Sequence, residues 1–322
     1  MKKFMATIGT DIAFAKKLLL NDQVIGLPTE TVYGLAGNAL HEKSIAKIFS
    51  VKNRPSFDPL IAHVDTLDKV HSIVEKFPLP LQKLAAHFWP GPLTLLLPKK
   101  SHVPFLLTSG LKKVAVRIPN HPLALELLGS IDFPLAAPSA NPFGYVSPTT
   151  AKHVNDQLGE KIPYILNGGN CEVGLESTIV GFEDGQVVIH RLGGISLEEI
   201  EKIIGPVKRD INESSNPKAP GMLKAHYSPT KKLLIGNIED LMNAQKNNDY
   251  GIISFKQSFL SSNPEREFVL SASGDMHEAA ANLFSALRKL DDLDIDLILT
   301  ELVPENGLGL AINDRLKRAA VS

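Results

Sequence analysis

The sequence predicts an α/β protein in two parts: a mixed sheet with helices over residues 1–207, a linker over 208–230, and a smaller doubly wound domain over 231–322. Three observations carry this reading. Apolar runs of strand length alternate with segments of helical period along most of the chain, the pattern of sheets covered by helices. Residues 212–220 are rich in Asn, Ser and Pro with no periodic apolar face, so they mark a linker. And 322 residues are too many for one ordinary single-core domain.

Taken in order, Asp11 is placed to cap a helix whose inner face carries Ile12, Ala15, Leu18 and Leu19. Residues 24–27 read as a short buried strand stopped by Pro28, followed by the polar turn Thr29-Glu30-Thr31. The stretch 42–51 sets Ile45, Ile48 and Phe49 at helical spacing. Strands are expected at 60–64, 93–97, 114–118 and 135–137, and helices at 81–88 and 123–128. Residues 178–181 and 187–190 flank Asp184-Gly185, which suits a tight antiparallel hairpin, so the sheet is expected to be mixed. After the linker, strands at 232–235, 251–254, 268–270 and 297–300 alternate with helices at 239–245, 275–290 and 310–319.

Composition removes several function classes. The 34 basic and 35 acidic side chains give a net charge of −1, so RNA binding by bulk charge is not expected and would need a local patch. A single cysteine, Cys171, excludes a disulfide framework and a thiolate metal site within the chain, and no histidine flanks it to activate it. No apolar h-region precedes Asp11 and no apolar run reaches bilayer length, so a cytoplasmic protein without membrane contact is expected. Phosphate-loop, dinucleotide-loop, zinc-protease and nucleophile-elbow motifs are absent, and the histidines show no metal-ligand spacing.

What the chain does carry is a set of loop segments rich in hydroxyls or fixed cations. The threonine-rich turn at 28–35 offers hydroxyl and backbone donors to a polar ligand, although alone it reads as a plain turn after a strand. Lys52 and Arg54 lie where a helix ends, and Pro55 and Pro59 prevent its continuation, so both cations are displayed on extended chain. They either complement the helix dipole or hold a phosphate or carboxylate. Residues 136–142 and 146–149 supply small residues with the compact donors Ser139, Asn141 and Ser147, which a Pro-rich surface turn would also contain. The run 174–178 sets hydroxyls at a strand start, and Arg117 and Arg191 end strands. An arginine facing a cleft grips a carboxylate or phosphate through paired bonds; one facing water does not. Cations with hydroxyls, and no Ser-His-Asp set, suit a reaction where charge develops on phosphates and carboxylates.

These segments read P-T-E-T-V-Y-G-L at 28–35, K-x-R-P-x-x-x-P-L at 52–60, F-W-P-G-P-L-T at 88–94 and V-A-V-R-I-P at 114–119. P-S-A-N at 138–141, E-S-T-I-V at 176–180 and P-G-M-x-x-x-H-Y-x-P at 220–229 follow. Together they closely resemble the two-domain threonylcarbamoyl-AMP synthases, a YrdC-type domain with an appended smaller one. The resemblance implies a YrdC-like twisted mixed sheet and a Rossmann-like C-terminal domain. It implies conversion of L-threonine, bicarbonate or CO2, and ATP to threonylcarbamoyl-AMP and pyrophosphate. That is the first step of N6-threonylcarbamoyladenosine formation beside the tRNA anticodon, with tRNA reached indirectly through a transfer complex.

The same resemblance implies a threonine pocket from Thr31, His63, Arg117, the backbone at Ala137, and Ser177. It places ATP, with Mg2+, near Lys52, Arg54, Asp58, Lys113, Ser139, Asn141, Ser147 and Arg191. Tyr227 would close over the nucleotide, with Pro220-Gly221-Met222 as part of a lid. Lys52 and Arg54 would act electrostatically, and no general base is assigned. Many relatives have Asn at the position of Asp58, so its carboxylate needs the ribose, a cation or magnesium facing it. The main alternative is a non-catalytic double-stranded-RNA-binding module, which demands a basic face. A carbamoyl-transfer domain of the hydrogenase-maturation kind expects cysteine zinc motifs that one cysteine cannot make.

Overall fold

The computed structural model describes residues 5–211, 219–220, 226–260 and 263–321, so most of the expected linker, and Gly221-Met222 of the lid motif, lie outside the described residues. The large sheet is built from β1 (Thr7–Gly9), β2 (Ile25–Leu27), β3 (Gly34–Asn38), β4 (Ile61–His63), β5 (Leu93–Pro98) and β6 (Lys113–Arg117). It is completed by β7 (Leu135–Ala136), β8 (Tyr164–Leu166), β9 (Thr178–Glu183), β10 (Gln186–Arg191) and β11 (Lys208–Arg209). Their spatial order is β1-β8-β2-β3-β7-β4-β6-β5-β9-β10-β11. Antiparallel pairs such as β5–β6 alternate with parallel ones such as β4–β6 and β5–β9, so the sheet is mixed as expected.

Local chemistry explains the elements. The Asp11 side chain accepts from the Phe14 N–H and caps the first helix. Asn53 adopts φ 52°, the left-handed conformation that ends the helix Glu42–Lys52 and turns the chain between Lys52 and Arg54. Asp184 and Gly185 have φ of 49° and 78°, the pair of positive values that a two-residue β9–β10 hairpin needs.

Two strands depart from the sequence reading. The Thr29-Glu30-Thr31 turn leads into β3, antiparallel to β2, where no strand was expected. Its sequence, GLAGN, lacks the β-branched and aromatic residues by which strands are recognised. Within the stretch expected as linker, Lys208 and Arg209 form β11 beside β10, an exposed edge strand with no apolar side chain to reveal it.

The second sheet holds β12 (Lys232–Ile235), β13 (Tyr250–Ser254), β14 (Glu267–Val269) and β15 (Leu297–Thr300), all parallel, in the order β12-β15-β13-β14. The chain steps outward to β14 and returns to β15. With right-handed crossovers this puts the helices Ile238–Ala244 and Met276–Asp291 on opposite faces, the doubly wound arrangement. Met276–Asp291 buries Leu283, Phe284, Leu287 and Leu290 and also touches the large sheet's loops: Ser285 Oγ lies 2.9 Å from Thr149 Oγ1. Among the described residues, no helix is long and apolar enough to cross a membrane.

Candidate active site

Sheet register brings the cations together. Val116 pairs with Leu95, Leu93 with Thr178, and Ile179 with Arg191. The C-terminal ends of β6 and β10 therefore meet the N-terminal ends of β5 and β9 along one sheet edge. Arg117, Arg191, Thr94 and Ser177 all stand there. The β2–β3 loop and the segment after β7 close the sides. The resulting cavity is walled by Thr31, Arg54, His63, Arg117, Ala137, Ser139, Ser177, Arg191 and Tyr227, together with Thr29, Glu176, Pro220 and His226.

Each arginine is held on several sides. Arg117 donates from Nε to the Gly91 carbonyl at 3.1 Å and from Nη1 to Thr31 Oγ1 at 2.8 Å, while Nη2 lies 2.6 Å from Glu30. Arg191 donates to the Ser177 carbonyl at 3.0 and 2.9 Å and to Ser177 Oγ at 3.0 Å. Ser177 Oγ in turn shares a 2.7 Å hydrogen bond with Thr94 Oγ1. Burial lowers the Arg191 pKa to about 10, which leaves it charged at neutral pH. Burial, reinforced by Arg117, pushes the His63 imidazole down to about 3, so it faces the cleft neutral.

The remaining sequence-derived residues stand behind this wall or away from it. Asp58 is fully buried with its carboxylate 2.8 Å from Arg54 Nη2, so the cation it required is Arg54. Lys52 Nζ donates to the carbonyls of Ser139 and Asn141 at 2.6 and 2.5 Å; burial, then the neighbouring Arg54, lowers its pKa well below the usual lysine range. Asn141 Nδ2 braces its own loop by donating to the carbonyls of Pro142 and Tyr145. Ser147 Oγ donates to Glu176 at 2.6 Å. Lys113 begins β6, about 13 Å along the strand from Arg117, and pairs with Glu183 at 2.8 Å outside the cavity lining.

Sequence reasoning missed Glu30, Thr94, Glu176, His226 and Arg315. The first four sit inside motifs already singled out; the partners that give Glu30, Thr94 and Glu176 their roles, Arg117, Ser177 and Arg315, lie far along the chain. Arg315, on the helix Gly309–Ala319, had no local signal, because its contact with Glu176 spans 139 residues. Tyr227 lies at φ 66°, its ring stacked 5.5 Å from Phe284 and flanked by the guanidinium carbons of Arg315 and Arg318 at 5.1 and 5.2 Å.

Residues 17–193 match the Sua5–YciO–YrdC family model, described as "Telomere recombination". Residues 195–321 match the model described as "Threonylcarbamoyl-AMP synthase, C-terminal domain". The chain belongs to the two-domain threonylcarbamoyl-AMP synthase family. Threonylcarbamoyl-AMP synthase of Pyrococcus abyssi is 38% identical, with 96% of this chain and 94% of the relative covered. That of Bacillus subtilis is 37% identical over 98% of this chain and 94% of its own length. The crystal structure of P. abyssi Sua5 complexed with L-threonine superposes with a TM-score of 0.92 at 37% identity, covering 98% of each chain.

Proposed function

We propose that this family member makes threonylcarbamoyl-AMP and pyrophosphate from L-threonine, bicarbonate or CO2, and ATP. The observation that carries the reading is that Arg54, Arg117 and Arg191 face one cleft lined with hydroxyls. In a site so closed to water, fixed cations stabilise developing negative charge far better than they would at a surface.

The free threonine amine adds to CO2 and loses one proton to water, giving an N-carboxylate, and that carboxylate attacks the α-phosphorus of ATP in line. The bond to the pyrophosphate oxygen breaks and pyrophosphate leaves. This is adenylyl transfer, which makes the enzyme a nucleotidyltransferase. Arg117 grips the threonine carboxylate in place of part of its pairing with Glu30, and Ser177 or Thr31 reads the substrate hydroxyl. Arg54 and Arg191 offset charge on the phosphates, while Lys52 holds the Ser139 and Asn141 carbonyls of the loop behind them.

Among the described residues, no three His, Cys, Asp or Glu side chains cluster as metal ligands. Glu30, Asp58 and Glu176 are each engaged by an arginine, so they make no magnesium cage. Mg2+ is taken to arrive as Mg–ATP, held by phosphate oxygens and water. The product is a mixed anhydride that stray water hydrolyses, so a closed cleft protects it until other proteins pass the group to tRNA adenosine. The RNA-binding alternative gains no support: the cleft's arginines are buried rather than spread over a basic face.

Pyrophosphate release should require both threonine and bicarbonate, and serine should be slower by about 10–100-fold for its missing methyl. Threonine-independent release would overturn the reading. Arg54→Ala should lower kcat/KM by about 10²–10³-fold, as expected for losing one preorganised charge.

A further inference from the structure

We propose that Arg315, on the last helix of the smaller unit, is a positioning residue that sets the nucleotide side of the cleft by holding Glu176 and Tyr227. The inference rests on the functional reading above. Arg315 is fully buried and does not line the cavity, whereas Glu176 and Tyr227 both do. Its Nε and Nη2 donate to one Glu176 oxygen at 3.2 and 3.1 Å, and Nη1 donates to Asp314 at 2.6 Å. The other Glu176 oxygen accepts from Ser147.

Two consequences follow for a site that takes a triphosphate. A bare carboxylate in the wall would repel the phosphates; Arg315 neutralises it. The Tyr227 ring is also clamped by Phe284, stacked at 5.5 Å, and by the arginine pair over it at 5.1 and 5.2 Å. That clamp holds a bulky residue at φ 66°, a conformation such residues avoid. It presents a buried hydroxyl that has no hydrogen-bond partner among the described residues. A buried phenol left unpaired is unfavourable, so it is poised to donate to an acceptor oxygen of the incoming nucleotide. The smaller unit thereby acts on the cleft without touching substrate.

The test measures ATP and L-threonine binding separately by calorimetry on the full chain, together with pyrophosphate release. Arg315→Met should weaken ATP by about tenfold or more while L-threonine binding stays within about twofold. Adding Glu176→Gln to Arg315→Met should recover part of the ATP affinity, because the uncompensated carboxylate is gone. A purely structural role predicts no such rescue. Arg315→Lys, the variant less disturbing to folding, should still weaken ATP by about fivefold, since an ammonium cannot both fork onto Glu176 and stack on Tyr227. ATP affinity within about twofold of wild type in Arg315→Lys, or equal loss of both ligands without rescue by Glu176→Gln, overturns the proposal. Failure of the catalytic reading would show separately, as wild-type protein that releases no threonine-dependent pyrophosphate.

Discussion

His63 shows how one buried side chain couples the cleft to stability. Its imidazole is held at about 3, against an ordinary value of 6.5, by burial and then by Arg117. Between those two values the unfolded chain binds a proton that the folded chain refuses, so acid favours unfolding. This contribution to stability is whole above pH 6.5 and is lost progressively as the pH falls toward 3. His153, lowered to about 4 mainly by burial, acts in the same direction. Replacing His63 with Asn should therefore reduce the drop in urea midpoint between neutral and mildly acid buffer, and an unchanged drop would remove His63 from the account. At this scale the sequence disclosed the cations and hydroxyls, because those types carry their chemistry wherever they stand and recur here in short motifs. It did not disclose their counterparts. Asp58 needs a counter-charge that only the fold supplies, in Arg54 2.8 Å away, and Glu176 acquires its meaning only from Arg315.

Elements were legible where periodic apolar residues determine them. The helix Met276–Asp291 and strand β15 follow their sequence patterns closely, as does the Asp184-Gly185 hairpin. Glycine-rich β3 and the charged edge strand β11 were not legible, because their pairing comes from neighbours rather than from their own composition. Gly174 marks the junction between two elements. It lies at φ 70°, and a Cβ there would sit 2.5 Å from Ala281 Cα and 2.6 Å from the Ala280 carbonyl oxygen. The helix Met276–Asp291 thus rests directly on the loop that carries Glu176 and Ser177. Gly174→Ala must either push the helix away or distort the loop, so it should cost about 1–3 kcal/mol in denaturant unfolding and also lower pyrophosphate release. A variant as stable and active as wild type would show that the junction is slack.

Over the whole molecule, the two sheets are joined by the same helix through polar contacts that water cannot replace. Arg288, 5% exposed, donates to the carbonyls of Val146 and Ser147 and to Gln157, with its guanidinium carbon 5.1 Å from the Tyr145 ring centroid. Asp291, one turn on, accepts from the Tyr145 hydroxyl, Thr230 Oγ1 and the Lys231 N–H. Removing the guanidinium would leave buried carbonyls without donors and loosen the stretch whose Ser147 donates to Glu176. Arg288→Met should therefore cost about 2–4 kcal/mol and also weaken the coupling between the two units. The single tryptophan, Trp89, lies in the large unit and reports on it alone, whereas far-UV circular dichroism reports on both. In wild type the two unfolding midpoints should coincide; in Arg288→Met they should separate, because the units no longer stabilise each other across the contact. Coincident midpoints in the variant, unshifted from wild type, would mean that the units are joined elsewhere and that Arg288 only decorates the seam.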